Sequence, residues 1–425
     1  MRLILAIVLP ISLACGGAGL VADSPEGVVV DGQPNGLALG VCVELNERCG
    51  LVDRDGRWVV APEFRQVPDR CEEACILKDT NYNDVFVDVR HDEVKIVDVQ
   101  AAEVSRVSEG LFVAWPDADG ESGQLMTLDG TLLGSPDIEQ ARFPHYCPRR
   151  GDQRWAPGRI WERHFAVSEG LALVCRPACD YVRTDGSVAF SVGRVNAWPV
   201  SDGVAVVAGG MRDASGEVIE TDAEVLTPFY SGHALGWVDV RDGPEGAEGD
   251  DVIIDTTGRI TARVSGFKLG LGMVFSGGRV STWSEDEQMP VWLGTDGTIT
   301  RPPDGTELLW PLIEDRGLYG VGDRVGYLGE SGTVAIPMDF ATPTKLQSEH
   351  AHFSEGLAVA RPASAPGLAG YLNPDGSWAI EPSFEDARRF QEGVARVTVG
   401  DITTWIRKDG TFLMPPDDLP PSRTP

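Results

Sequence analysis

A pair of short motifs recurs along this chain. A Ser-Glu-Gly turn leads into one apolar strand, and an Asp-Gly turn then joins two further strands. The clearest copy covers residues 353–360 and 370–380. Recurrence at a roughly regular spacing is typical of repeat proteins, in which each unit packs on its neighbours. The motif pair therefore limits the architecture to an array of similar units, and it leaves the function open.

The two turns can be followed through most of the sequence. Asp-Gly turns or their equivalents stand at Asp55-Gly56, Asp129-Gly130, Asp185-Gly186, Thr257-Gly258, Asp296-Gly297, Ser331-Gly332, Asp375-Gly376 and Asp409-Gly410. The companion turns stand at Asn35-Gly36, Glu109-Gly110, Glu169-Gly170, Asp202-Gly203, Arg316-Gly317, Glu355-Gly356 and Glu392-Gly393, with a degenerate copy at Leu271-Gly272. Pro374 fixes φ for a type I turn and Gly376 takes the left-handed position, which predicts a hairpin.

The segments between the turns predict strands rather than helices. Runs such as 110–114 and 203–207 are short and rich in β-branched residues. The predicted fold is all-β, an array of about eight units, each a short β-hairpin or a three-stranded repeat. A propeller-like closed ring is the first choice because closure removes exposed sheet edges. An open, curved β-array is the second choice.

Four stretches interrupt the pattern. Residues 68–106 are acidic and hard to align with the repeat, and a worn unit hidden there is one interpretation. Residues 134–165 hold several prolines and aromatic residues and are predicted to form a long ordered insertion loop. Residues 209–226 and 242–251 are interpreted as smaller acidic insertions. We expect the features that distinguish this protein to lie in these insertions rather than in the repeat.

The units resemble the WG-repeat family of bacterial β-repeat proteins. The family's unit reads approximately F-x-E-G-L-A-x-V and then W-G-[FYL]-I-D-x-x-G-x-x-V-I-x-P-x-[FY]. Matching segments lie at 50–64, 326–337, 353–360 and 370–384. The Trp-Gly pair never occurs in this chain, and its Trp position holds Cys49, Cys179, Val325 and Ala369. The resemblance implies a repeat β fold without an assigned activity, and no catalytic residue carries over.

The N-terminal residues predict export. Arg2 precedes an apolar run from Leu3 to Leu13, which is too short for a spanning helix and suits a signal peptide. Ala14-Cys15 resembles the end of a bacterial lipoprotein signal, where the chain is cleaved before an acylated Cys. An ordinary cleaved signal that removes Cys15 is the alternative. The predicted location is the bacterial outer membrane, facing the periplasm or the cell surface.

The domain prediction follows from these boundaries. The predicted segments are a signal peptide (1–14), a flexible tether (15–34), a WG-like β-repeat domain (35–414) with its insertion loop at 134–165, and a disordered tail (415–425).

The other cysteines predict an oxidising compartment. Cys49 and Cys179 each lie six positions before the Asp of the next Asp-Gly turn, and each has a second Cys on the adjacent strand. Neighbouring strands bring Cβ atoms within bridging range. The predicted disulfides are Cys42–Cys49, Cys175–Cys179 and, as a plausible local third pair, Cys71–Cys75, which leaves Cys147 over. A metal site at 71–75 or 175–179 is the weaker alternative, because no second ligand pair stands at zinc-like spacing.

No set of residues predicts catalysis, and we assign no cofactor, metal or catalytic residue. His350 and His352 share one face of a strand, and a surface pair is favoured over a metal site. His145 beside Cys147 fits an unpaired Cys better than an activated thiolate. Asp117–Glu121 resembles a fragment of a calcium loop without its remaining ligands. The serines of the Ser-Glu-Gly turns are expected to bond the backbone.

Charge and aromatic content limit the partners. The formal net charge of -29 repels nucleic acid, which is therefore not an expected partner. The 11 Trp residues fit packing better than ligand binding. The expected function is a non-catalytic binding or scaffold role in the cell envelope, with a protein or glycan partner and membrane contact through the lipid anchor. The alternatives are a glycan- or peptide-acting enzyme that uses paired carboxylates in an aromatic cleft, and a purely structural lipoprotein.

Overall fold

A computed structural model gives the fold of most of the predicted repeat domain. The structure describes residues 37–43, 48–82, 84–90, 94–96, 103–104, 109–115, 122–133, 138–139, 167–175, 178–193, 197–238, 249–269, 273, 275–343 and 350–414. Across these ranges the regular elements are all β-strands, so the predicted all-β class is confirmed. Nowhere in these ranges is there a helix with the length and apolar character needed to cross a membrane.

The described strands form nine sheets, each with antiparallel pairing. One sheet combines the first strands with the last, so we number ten units. Unit 1 contains β1 (Leu37–Val43), β2 (Arg48–Val52) and β3 (Trp58–Phe64), and unit 2 contains β5 (Ala74–Lys78), β6 (Asp84–Asp88) and β7 (Lys95–Ile96). Unit 3 contains β8 (Glu103–Val104), β9 (Leu111–Trp115), β10 (Ser122–Thr127) and β11 (Ile138–Glu139), and unit 4 contains β12 (Val167–Ser168), β13 (Leu171–Cys175), β14 (Cys179–Arg183) and β15 (Val188–Gly193). Unit 5 contains β16 (Val204–Val207), β17 (Gly210–Asp213) and β18 (Val218–Ile219). The short strand β4 (Arg70–Glu72) pairs with β1.

Units 6 to 10 continue the same order. Unit 6 contains β19 (Glu224–Val225), β20 (His233–Val238), β21 (Asp250–Asp255) and β22 (Ile260–Val264), and unit 7 contains β23 (Arg279–Ser284), β24 (Met289–Gly294) and β25 (Ile299–Thr300). Unit 8 contains β26 (Leu308–Ile313), β27 (Arg316–Val321), β28 (Arg324–Gly329) and β29 (Val334–Ala341), and unit 9 contains β30 (Ala358–Ala360), β31 (Ala369–Leu372) and β32 (Trp378–Phe384). Unit 10 contains β33 (Asp386–Ala387), β34 (Val394–Val399) and β35 (Ile402–Arg407).

The prediction of about eight units was too low for the described part of the chain. Residues 68–106 hold strands β4 to β8, which confirms the interpretation that a worn unit lies there. The hairpin of β5 and β6 could not be aligned with the repeat because its turn at 79–82 contains no Gly. The interpretation of 209–226 as an insertion was wrong, because this stretch holds β17 to β19. Of the predicted insertion 134–165, residues 138–139 form β11 and the rest lies outside the described residues.

The predicted Asp-Gly hairpins are present. Gly56 and Gly376 have φ of 82° and 87°, and their N–H groups bond the carbonyls of Asp53 at 3.1 Å and Asn373 at 2.9 Å. The three-residue closure with Gly in the left-handed position is the type I turn with a bulge. The Asp53 side chain also stabilises its turn, because its carboxylate accepts a hydrogen bond from the Asp55 N–H at 2.9 Å.

The hydrophobic core lies between units rather than within them. Strand β20 shows the pattern, since Ala234 belongs to a cluster shared with unit 5 while Leu235 packs with Val280 of unit 7. Alternate side chains of a strand point to opposite faces, so each thin sheet contributes to two cores. Clusters of this kind join each described unit to the next.

A further cluster joins unit 10 to unit 1. Leu39 of β1 packs with Trp405 of β35, and the two strands pair at Cys42 with Thr403 and at Val43 with Ile402. The first and last described units therefore share an apolar cluster, as neighbours along the chain do, and in addition a backbone ladder within one sheet.

Candidate functional site

The acidic turns share one conformation. In the clearest copy, Glu355 and Gly356 have φ of 54° and 81°, and Ser354 and Leu357 exchange both backbone hydrogen bonds across the turn. Two central residues with positive φ form a type I′ hairpin, in which Asn and Gly are the usual residues. Glu has no local advantage there, because positive φ strains a residue that has a Cβ. Its recurrence must therefore come from a contact outside the turn.

That contact is a hydrogen bond to the next unit. The Glu355 carboxylate accepts the N–H of Gly393, the second residue of the following acidic turn, at 3.0 Å. Corresponding bonds join Glu73 to Gly110 (2.7 Å), Glu109 to Gly170 (2.9 Å), Glu169 to Gly203 (2.8 Å), Asp202 to Gly232 (2.8 Å) and Glu314 to Gly356 (2.9 Å). We call these six carboxylates the latch row. Each satisfies a turn N–H of the neighbouring unit and fixes the spacing of two units.

Electrostatics keep Glu355 ionised. Burial alone would raise its pKa, but hydrogen bonds from Lys408 and from the Gly393 N–H outweigh burial and lower the pKa. The Lys408 Nζ lies 2.9 Å from the carboxylate. A general acid or base working near neutral pH needs a pKa shifted toward 7. The surroundings of Glu355 act in the opposite direction, and they suit a permanent hydrogen-bond acceptor.

At the contact of units 10 and 1, the acidic turn is held by ion pairs. Glu392 occupies the acidic turn of unit 10 and contacts Arg54 and, at 3.3 Å, Arg70. Asp69 adds a second pair of contacts, 2.6 Å to Arg388 and 2.9 Å to Arg396. Ion pairs at a protein surface stabilise little individually, and opposite charges across a contact favour the correct partner surface.

A second set of bonds comes from buried aromatic side chains four residues before the Asp-Gly turns or their equivalents. Each donates from its polar tip to a backbone carbonyl of the next unit or of the segment leading into it. The bonds run from Tyr181 to Trp198 (2.6 Å), Trp292 to Trp310 (2.8 Å), Tyr327 to Ala351 (2.7 Å), Tyr371 to Arg388 (2.8 Å) and Trp405 to Gly40 (2.7 Å). Burial raises the pKa of Tyr181, Tyr327 and Tyr371, so these hydroxyls remain neutral donors.

The Asp-Gly turns also contact a neighbour. A Cβ on Gly56 would lie 2.1 Å from the Leu413 carbonyl oxygen of unit 10, and one on Gly258 would lie 2.1 Å from the Glu220 oxygen of the preceding unit. Gly is therefore needed at these positions for close approach as well as for positive φ. Both recurring motifs thus serve the junctions between units.

The structure locates most of the predicted cysteine pairs. Disulfides join Cys42 to Cys49 and Cys71 to Cys75. Cys175 and Cys179 stand in register on β13 and β14, and Cys179 is disulfide-bonded. The sulfur of Cys175 lies outside the described side chains, and Cys15 and Cys147 lie outside the described residues.

Other predicted features take structural positions. The interpretation of His350 and His352 as a surface pair was wrong for His352, which is buried because the segment around it packs between units 8 and 9. Burial, with a smaller effect of the Arg389 charge, lowers the pKa of His352 to about 4. The Ser354 hydroxyl donates to the Phe390 carbonyl at 2.6 Å, so it bonds backbone as expected, although in the next unit. Residues 117–121 lie outside the described part.

Two acidic-turn positions were misplaced from the sequence. The turn of unit 8 is Glu314-Asp315 rather than Arg316-Gly317, with φ of 48° and 60°, because Asp315 takes the place of the expected Gly. In unit 7 the turn lies at Gly277-Gly278 rather than Leu271-Gly272. A search for Glu followed by Gly could not find either turn.

A carboxylate with a raised pKa lies on β21, beside a second carboxylate. Burial, followed by the charge of Asp250, raises the pKa of Asp251, and Asp251 stands opposite Trp237 in register. The two carboxylates are consecutive on β21, so they point to opposite faces of the sheet and do not converge. A cleft between units 8 and 9 is lined mainly by apolar residues and contains no acidic side chain. No described Trp side chain is classed as exposed.

The last strand of a unit usually lies at an edge of its sheet, and we call it the outer strand. One outer strand differs from the others. Strands β3, β22, β29 and β32 carry the prolines or charges that protect open sheet edges, namely Pro62 and Glu63, Arg263, Pro337 and Asp339, and Glu381 and Pro382. Strand β15 lies at the edge of its sheet with the sequence VAFSVG, which has neither. Its Val188 is 52% exposed. Among the described outer strands of three or more residues, β15 alone lacks this protection.

Comparison with known proteins identifies the repeat. The family described as WG containing repeat matches residues 370–401, which run from β31 into the turn after β34. The chain carries a WG-containing repeat. This WG repeat includes Tyr371, the Glu392-Gly393 turn and the Asp375-Gly376 turn, so the family pattern coincides with the groups that join units. A search of curated proteins found no match.

Solved structures give distant likenesses. A eukaryotic initiation factor is 12% identical with a TM-score of 0.43, over 88% of this chain and 94% of that one. BamB from Moraxella catarrhalis is 10% identical with a TM-score of 0.29, over 71% and 95%. The Dos1 propeller is 11% identical with a TM-score of 0.30, over 58% and 77%. Scores this low carry no argument about function.

Proposed function

We propose that this protein is a non-catalytic binding or scaffold protein of the bacterial cell envelope. In this proposal it is exported, anchored in the outer membrane through a lipid on Cys15, and folded as a propeller-like ring of WG-like units. The contact of unit 10 with unit 1 supports the ring over an open curved array. The disulfides at Cys42–Cys49 and Cys71–Cys75 support an oxidising compartment.

The use of the repeated polar groups supports a binding role. The latch row and the buried aromatic tips are engaged between units, so recognition falls to surfaces in which units differ. The unprotected edge of β15 is the observation that carries the proposal. An open strand edge offers backbone donors and acceptors to an added strand, and the exposed Val188 offers an apolar contact beside it.

We propose an extended segment of an envelope protein as the partner at this edge. Strand addition needs an extended backbone rather than a sugar ring, which favours a protein over a glycan. The net charge of -29 favours a neutral or basic segment. The acidic side chains Asp180, Asp185 and Asp213, on β14, in its turn and in the adjoining unit, act in the same direction.

Crosslinking of the tagged mature protein in its own envelope tests the proposal. A photo-crosslinker at Ser191 should yield one defined adduct, and Val188→Lys should remove it, because a buried Lys charge opposes strand addition. Val334→Lys is the matched control, since Val334 is 48% exposed at the same place in unit 8, whose outer strand contains Pro337. An adduct that survives Val188→Lys, or that Val334→Lys removes equally, would contradict the assignment of the edge.

Two further experiments address the other parts of the proposal. Deletion of 134–165 should abolish capture of a partner if the insertion contributes to binding, and unchanged capture would exclude it. Palmitate labelling should be lost in Cys15→Ala, and retained labelling would contradict the anchor. Hydrolysis of a glycan or peptide by the purified protein would instead favour the enzyme alternative.

A further inference from the structure

The junction of units 6 and 7 lacks both kinds of connecting bond. The acidic position of unit 6 is Ser231, whose φ of 52° matches that of the glutamates but which has no carboxylate, and its hydroxyl donates to the Phe275 carbonyl. The position that holds an aromatic donor in other units is Ile253, which has no polar tip. Within the described residues, no carboxylate latch and no aromatic donor crosses this junction.

Other junctions keep at least one of these bonds wherever their acidic turn is described. The junction of units 7 and 8 also lacks a carboxylate, because its acidic position is Gly277, but Trp292 donates to Trp310 there. The junction of units 5 and 6 has no aromatic donor at its Met211 position, but Asp202 bonds Gly232 at 2.8 Å. Among the junctions whose acidic turn lies in the described residues, only that of units 6 and 7 lacks both bonds.

Other contacts remain at this junction, among them a tilted ring contact between His233 and Phe275. The Ser231 hydroxyl donates to the Phe275 carbonyl at 3.3 Å, which is longer than is usual for a hydroxyl donor. Thr261 bonds the Thr295 carbonyl at 2.6 Å near the outer strands. The apolar cluster of Leu235 and Val280 fills the space between. This junction is therefore held mainly by non-directional packing. At the acidic turns, such packing resists separation less than directed hydrogen bonds do.

We propose that the junction of units 6 and 7 is the opening seam of the array. The two units separate there first, at the acidic-turn positions Ser231 and Gly278, while the bonds of the neighbouring junctions remain intact. Such a local opening belongs to the low-stability end of a native structure. It lets the array change its curvature without unfolding a unit, whatever the array binds.

Hydrogen exchange of the native protein tests the seam. In the unmodified protein, the amides of Gly278 and of the first residues of β23 should exchange faster than the equivalent amides at Gly232 and Gly393. Ser231→Glu should slow exchange of the Gly278 amide about tenfold, because the new carboxylate can accept its N–H. The backbone already fits Glu, since Glu109, Glu169 and Glu355 adopt φ of 48° to 54°.

Matched variants separate the latch from a general change in stability. Ser231→Lys has similar length but no acceptor, and should leave Gly278 exchange unchanged. Asp202→Ser removes a native latch and should open the junction of units 5 and 6, with faster exchange at Gly232. Fastest exchange of the unmodified protein at another junction, or equal effects of Ser231→Glu and Ser231→Lys, would overturn the proposal. The comparison within the unmodified protein stands even if one variant fails to fold.

Discussion

The junction of units 9 and 10 and the junction of units 6 and 7 show the two extremes of the array. At the first, Glu355 holds Gly393, Ser354 bonds the Phe390 carbonyl, and Tyr371 bonds the Arg388 carbonyl. At the second, Ser231 and Ile253 occupy the positions of Glu355 and Tyr371. Both junctions bury an apolar cluster.

The difference shows what the repeat motif encodes. Burial alone brings units together, because both junctions have it. The Glu of the acidic turn and the aromatic residue of the middle strand add directed bonds that set the strength of each junction. Degeneration of the motif therefore marks a mechanical difference along the array rather than a loss of fold.

The largest expected effect is a loss of stability at acidic pH through His352, which lies in the segment leading into unit 9. The unfolded chain takes up a proton below pH 6.5, while buried His352 resists protonation until about pH 4. Stability should therefore be full above pH 6.5 and fall as the pH drops to 4, by about 3 kcal/mol from this residue. Chemical denaturation at each pH measures the free energy of unfolding, which should fall less steeply with decreasing pH in His352→Leu than in the unmodified protein. Equal slopes would contradict the burial of His352.

The next effect tests whether the contact of units 10 and 1 is as tight as that of units 9 and 10. Gly56→Ala should lower the free energy of unfolding by about 2 kcal/mol more than Gly130→Ala. The two glycines share φ near 82°, but only Gly56 has a neighbour that a Cβ would meet. Urea denaturation measures both variants. Equal losses would mean that the strain of the turn, rather than contact with Leu413, sets the need for Gly.

A smaller effect removes one bond from the strong junction. Tyr371→Phe should cost about 1 kcal/mol, because the Arg388 carbonyl loses its donor while the ring packing remains. Tyr319→Phe is the control, since no hydrogen bond of the Tyr319 hydroxyl is found in the described structure. Hydrogen exchange should place the loss at units 9 and 10. A global loss of the same size in both variants would contradict the role of the aromatic tip.

The smallest effect concerns the latch itself. Glu355→Gln keeps the shape but removes the charge, and should cost less than about 1 kcal/mol because the carboxylate is partly exposed. The lowered pKa of Glu355 means that its contribution is present above the unfolded-state pKa of 4.5 and is lost as the pH falls through the lower folded value. The variant should therefore lose less stability on acidification than the unmodified protein. A variant with unchanged acid dependence would show that the latch carries no stability.

The sequence predicted features that depend on neighbouring residues. The Asp-Gly hairpins follow from Pro374, Gly376 and their equivalents, because turn conformation is a local property. The cross-strand cysteines were also found, since Cys42 and Cys49 flank one hairpin. The latch row could not be predicted, because its bonds join residues 30 to 61 positions apart. Unit 2 could be predicted only as a worn unit somewhere within 68–106, since its turn at 79–82 lacks the Gly that marks the other hairpins.

The bond from Trp405 to the Gly40 carbonyl joins residues 365 positions apart. Folding slows as contacting residues lie farther apart in sequence. Neighbouring units can assemble in turn, whereas the sheet of β1 and β35 forms only after the last strand is available. Until that moment the Cys42 and Val43 part of β1, which β4 does not pair, and the face of Leu39 that packs on Trp405 remain uncovered, so aggregation is most favoured just before β35 forms.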